Sequence, residues 1–149
     1  MILLVHMLFG AAIGSVITNP LLAIILALLG HYFLDIFPHV EYSIDNLQNK
    51  NWKKILPDAA KVFMDFTAAL LAIFLLSKNQ PIIYFCAMVA IIPDGLTMAH
   101  YVFPKLGLAA HDKFHGEKIH YLTKQKKFPV FWRIATQVLA VGISIAILT

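Results

Sequence analysis

Five long apolar runs, separated by short polar stretches, leave this chain few ways to fold. They cover residues 2–18, 21–37, 57–77, 82–103 and 129–149. Each holds roughly 17 to 22 residues, close to the ~20 that a helix needs to cross ~30 Å of hydrocarbon. The alternation of a membrane barrel strand is missing, so helices are the spanning form that satisfies the backbone in lipid. The expected fold is all-α: a polytopic integral membrane helical bundle with about five transmembrane helices. Asn19-Pro20 joins the first two runs, and Lys78-Asn79-Gln80-Pro81 joins the third and fourth. Each pair therefore reads as a tight helical hairpin. The chain is expected to form one transmembrane domain over 1–149. Its parts are a hairpin (1–38), a polar loop (39–56), a second hairpin (57–103), a His- and Lys-rich polar loop (104–128) and a last helix (129–149). The two hairpins look like a degenerate tandem repeat, although any two helical hairpins share much of this likeness.

Charge is distributed unevenly across these runs. The chain has 12 Lys and Arg, 8 Asp and Glu, and 7 His. In an up-down arrangement all of them except Lys78 lie in or beside segments that share one face. A positive-inside bias makes that face cytoplasmic, in an inner (plasma) membrane of bacterial or archaeal type. The formal charge of +4 is then explained by orientation and by anionic headgroups, with Lys105, Lys113, Lys118, Lys124, Lys126 and Lys127 facing lipid. Membrane lipids are the expected partners and nucleic acid is not; homo-oligomerisation is left open. The run 2–18 has no basic residue ahead of it, so no cleavable signal peptide is expected. The lone Cys86 offers neither a disulfide within the chain nor a thiolate cluster.

Ionisable groups inside apolar runs are functional candidates, because lipid penalises them. His6, His31, Asp65 and Asp94 each stand one to two turns from the shared face, within ~7 to 12 Å at 1.5 Å per residue. One per helix at one depth, they can converge in a bundle core, where metal sites are commonly built. His31 and Asp35 share a helix face at i,i+4. That spacing suits a shared cation, or a carboxylate that orients the imidazole; one such pair alone would equally fit a structural hydrogen bond. His39 follows the helix-ending Pro38 and can fold back. Pro93 and Gly95 flank Asp94 and open the helix there. In the second polar segment His111 and His115 are again i,i+4, and His100 lies six residues beyond Asp94. His120 is expected on the solvated face, outside the site.

The expected metal ligands are thus His6, His31, Asp35, His39, Asp65, Asp94, His100, His111 and His115. A donor set of nitrogen and carboxylate oxygen suits zinc first, with manganese or iron as alternatives. There are enough ligands for two or three ions, and clustered divalent ions are the usual device for phosphate-ester hydrolysis. Gly10 and Gly14 form a small-x3-small patch that fits close helix packing. No Walker loop, nucleophile elbow or dinucleotide fingerprint is present.

The string Gly30-His31-x3-Asp35-x2-Pro38, preceded by an apolar hairpin with an early His6, resembles the membrane-bound metal-dependent hydrolases, which include SOS-induced inner-membrane hydrolases. Pro93-Asp94 is similar to that family's Pro-Asp element. His31-Tyr32-x2-Asp35 followed by Pro38-His39 also looks like zinc-dependent phospholipase C and the P1-type nucleases. The resemblance covers about residues 1 to 115 and implies a metal-dependent phosphoesterase. On that reading a lipid-linked phosphate ester, or another anionic lipid, is hydrolysed at the interface, with Asp35 and Asp65 in catalytic roles. The alternatives are a membrane metal-binding scaffold and a metal or ion transporter without hydrolytic activity.

Overall fold

The computed structural model describes residues 1–121 and 128–149. Lys124, Lys126 and Lys127, assigned above to lipid headgroups, lie outside the described residues. The described chain is helical between its turns and contains no strand. The helices are α1 (Leu3–Val16), α2 (Pro20–Ile36), α3 (Asp45–Gln48), α4 (Leu56–Leu76), α5 (Pro81–Val89), α6 (Ile92–Val102), α7 (Ala109–Lys113) and α8 (Val130–Leu148).

α1 is the hub. It packs against α5, α2, α8 and α4, which explains why it is apolar all round rather than on one stripe. Its close approach to α5 depends on two glycines. A Cβ at Gly10 would lie 2.6 Å from both Ala90 Cβ and Cys86 O, and one at Gly14 would lie 3.0 Å from Cys86 Cβ. The small-x3-small patch is therefore a helix-crossing surface. Met7, Leu8, Ala11, Ala69, Ile73, Ile83 and Ala87 form the main buried cluster around it.

The turns follow from local chemistry. Asn19 caps α2 by accepting from Leu22 N at 3.1 Å, with Pro20 at the first helical position. α2 stops before Pro38, whose ring forces Phe37 into extended backbone. α3 is held by Asp58 of α4, whose Oδ2 accepts from Asn46 N (2.8 Å) and Leu47 N (3.2 Å). α8 pins the segment after α2: Arg133 Nε donates to His39 O (2.7 Å), Thr136 Oγ1 to Pro38 O (2.5 Å) and Gln137 Nε2 to Val40 O (2.9 Å).

The expected fourth span is broken. α5 and α6 meet at a 47° bend around Ala90 and Ile91. Pro93 has no N–H to continue the ladder of α5 and stands in the first turn of α6. By length and composition, α4 and α8 can each cross a membrane, and the bent α5–α6 pair adds a third if it is one span. α1 and α2 are apolar but shorter, at 14 and 17 residues.

Candidate metal centre

At one end of the bundle four elements meet: the start of α1, the end of α2, the start of α6, and the segment from α7 to Tyr121. They surround the carboxylate of Asp35, which is fully buried. Asp35 Oδ2 lies 3.1 Å from His31 Nε2, 3.2 Å from His115 Nε2 and 3.2 Å from His120 Nε2. Asp35 Oδ1 lies 3.2 Å from His6 Nε2, 3.7 Å from His39 Nε2 and 2.7 Å from the Met1 amino group. Five imidazoles thus approach one carboxylate, each through Nε2.

Two groups of metal-ligating atoms can be drawn around this hub. One contains His31, Asp35, Asp94 and His115; the other contains Asp35, His39 and His120. Asp35 belongs to both. Glu41 Oε1 adjoins the second, 2.8 Å from His39 Nε2 and 2.7 Å from His120 Nδ1. Asp94 Oδ1 completes the first at 3.7 Å from His31 Nε2.

The far nitrogens decide the protonation pattern. A carbonyl or carboxylate oxygen only accepts, so the nitrogen beside it carries hydrogen. His31 Nδ1 donates to Ala90 O at 2.7 Å, a carbonyl at the α5–α6 bend. His39 Nδ1 donates to Phe37 O at 2.7 Å, and His120 Nδ1 donates to Glu41 Oε1 at 2.7 Å. His115 Nδ1 pairs with Thr97 Oγ1 at 3.2 Å. In a neutral ring of His31 or His39 the inward Nε2 would carry a lone pair, whereas a protonated His120 presents Nε2–H to Asp35. Outward Nδ1–H bonds of this kind hold metal-binding imidazoles in place.

Without a cation this arrangement is unfavourable. His31 Nε2 faces Asp35 Oδ2 and also His115 Nε2, at 3.1 Å, and His115 Nε2 faces His120 Nε2 at 3.2 Å. With His31 neutral, the contact of its Nε2 with Asp35 Oδ2 sets two acceptors face to face in a buried pocket, and unsatisfied buried polar groups cost free energy. Neither ring nitrogen of His6 makes a hydrogen bond, although the ring is buried and stacked 4.1 Å from His31. Donor atoms 2.0–2.1 Å from a tetrahedral zinc are about 3.3 Å apart, close to the spacings here. The residues fit a divalent ion.

Loop groups report the same demand for positive charge. Burial disfavours the charged form of His120, but its hydrogen bonds with Asp35 and Glu41 outweigh this and push its pKa up to about 9. Burial would raise Glu41, yet hydrogen bonds from His120 and His39 hold it well below the usual carboxylate range. His115 is pushed below its ordinary value, chiefly by burial. A cavity of about 440 Å³ opens over the cluster. Glu41, Tyr42, Asp94, His115, His120 and Arg133 are among its walls.

Of the residues singled out in the sequence, His6, His31, Asp35, His39, Asp94 and His115 come together here. Asp65 joins neither group: its Oδ2 accepts from Leu4 N at 3.3 Å, at the start of α1. His111 is also outside both groups, and its Nε2 donates to Pro93 O at 3.0 Å. His100 stacks near Tyr101 and stands apart. His120, expected on the solvated face, is instead buried at the hub. Its neighbour is set by a π-helical stretch, Phe114–Ile119, continued by His120 N donating to His115 O at 3.1 Å. In a π turn, residues five apart lie on one face. Glu41 and Arg133 were also missed, since nothing in their local sequence ties them to Asp35.

No protein-family model matches the chain, and neither does any curated protein or any solved structure.

Proposed function

We propose that this protein is a membrane-embedded, divalent-metal-dependent hydrolase acting on a lipid-linked phosphate ester at the interface. One observation carries the reading: imidazoles aim Nε2 at one buried carboxylate while His31, His39 and His120 turn Nδ1 to fixed acceptors. His31, Asp35, Asp94 and His115 would hold one ion, and Asp35, His39 and His120 a second, with Asp35 bridging. Zinc fits this nitrogen and oxygen set best, with manganese or iron as alternatives. When bound, such an ion supplies Lewis acidity toward a phosphoryl oxygen and a water of lowered pKa.

The chain's own groups supply the rest. Asp94 is 22% exposed and Glu41 45%, so carboxylates meet the cavity while the imidazoles behind them are covered. An ion held by these residues would face that cavity, which is the access a catalytic site requires. Arg133 lines the same cavity and holds His39 O through Nε. Its remaining N–H groups suit a phosphate oxygen. Tyr42, also in the wall, is pushed above its ordinary pKa, chiefly by burial and then by Asp65 and Asp94. It stays a hydrogen-bond donor at neutral pH. The chain would cross the membrane about five times, with this end cytoplasmic by the positive-inside bias. The likeness to the membrane-bound metal-dependent hydrolases points the same way.

The test pairs metal analysis with hydrolysis. Purified protein should carry at least one divalent ion per chain and cleave a phosphodiester. A chelator should abolish cleavage, and the ion added back should restore it. An ion that is retained but inert toward phosphate and toward a broad lipid panel would replace this reading with a structural metal scaffold.

A further inference from the structure

A second cavity, about 370 Å³, lies beside the first. Its walls include Leu3, Val62, Phe63, Phe66, Gly95 and Met98. The lining is apolar in kind, whereas the metal cavity mixes carboxylates, imidazoles, hydroxyls and Arg133. Leu3, Val62 and Met98 line both, so the two adjoin.

The slot is a consequence of the packing. α4 packs against α1, α8 and α3, leaving a cleft toward α6. On the α6 side, Gly95 follows Asp94 directly, and a Cβ built on it meets nothing within 4 Å. On the α4 side, Phe63 is 68% exposed. The slot therefore opens along the apolar flank of a helix long and apolar enough to cross a membrane. At one end it reaches the candidate metal ligands, and along its length it offers only hydrocarbon contacts.

We propose that this slot binds one hydrocarbon chain of an amphiphile whose phosphate-type headgroup occupies the metal cavity. The proposal rests on the metal-site reading and specifies how its substrate is held. Polar recognition is confined to the upper cavity, and the chain adds affinity by burial, each buried methylene being worth a factor of about four. The adjacency of a polar and an apolar cavity selects this occupant: a single molecule with a charged head and an apolar tail can fill both.

Cobalt-substituted protein in maltoside micelles gives a readout independent of turnover. Its visible d–d spectrum should respond when a phosphonate reaches the ion. Methylphosphonate and hexadecylphosphonate are titrated into the wild type, and the ratio of their half-saturating concentrations is recorded. Micelle partitioning is common to all variants and cancels when ratios are compared. Hexadecylphosphonate should saturate the wild-type protein at much lower concentration. Gly95→Leu, which fills the slot from α6, should shrink the ratio at least tenfold. Ala59 of α4 also lines the slot, and Ala59→Phe should do the same, which guards against a folding defect peculiar to one variant. An unchanged ratio in both variants, with the wild-type preference intact, overturns the slot and leaves the metal site standing. If neither phosphonate perturbs the spectrum of a protein that holds cobalt, the phosphate-ester reading falls and the slot proposal with it.

Discussion

Asp35 is the residue on which the candidate site depends most. It is buried, belongs to both ligand groups and is approached by five imidazoles. Asp35→Asn keeps the shape but removes the charge, so metal content measured by elemental analysis should fall to near zero. His120→Ala should also lower occupancy strongly, opposite to what its sequence position suggests. Thr97→Val removes the hydroxyl beside His115 Nδ1; losing such an orienting partner should weaken metal binding about 10- to 100-fold by direct titration. Asp65→Asn should retain the metal, because that carboxylate accepts from Leu4 N. His6, His31, Asp35 and Asp94 were legible because polar residues inside apolar runs stand out on cost alone. Glu41 and Arg133 were not, because a carboxylate or a guanidinium in a polar loop is ordinary until the fold brings it to the site.

At the scale of elements, two departures from regular α-helix build the site. The α5–α6 bend leaves Ala90 O to accept from His31 Nδ1. The π stretch brings His120 beside His115. Pro93 made the first legible as a break point, whereas nothing in residues 114–119 announces a π turn, and the α-helical template paired His115 with His111 instead. Deleting Glu117 would let the stretch close as a regular α turn with His115 and His120 four apart and still on one face, whereas inserting an alanine after Glu117 would turn His120 off that face. Titration of the insertion variant should then show loss of the Asp35–His39–His120 group, with ions bound per chain falling by one if two are held in the wild type. The α1–α5 crossing is equally sensitive. Gly10→Leu would push a side chain against Ala90 and Cys86. Overpacking of this kind costs about 1–3 kcal/mol, so the melting temperature in detergent should drop. Metal affinity should fall too, since Ala90 carries the acceptor for His31.

The whole molecule is polarised. Its ligand-bearing groups crowd one end, and away from them the interior is Met7, Leu8, Ala11, Ala12, Ile73 and Ile83. α4 and α8 are exposed over most of their apolar lengths, with only 11% of each stretch buried, as lipid-facing helices would be. The broad pattern of apolar runs anticipated this helical architecture, but the number of crossings depends on how α1, α2 and the bent pair sit in lipid, which periodicity does not encode. Reporter fusions after Lys54 and at Thr149 should fall on opposite sides; identical results would mean an even number of crossings between them and would overturn the five-span topology. The apolar interior away from Asp35 has a further consequence. The site resembles a cup rather than a pipe: among the described residues its polar opening is the metal cavity, and the slot beside it leads into hydrocarbon, where a charged chelate does not go. In sealed vesicles with mixed orientations, a membrane-impermeant chelator should strip the metal from the outward-facing fraction alone, and the remainder should be released only when the vesicles are dissolved.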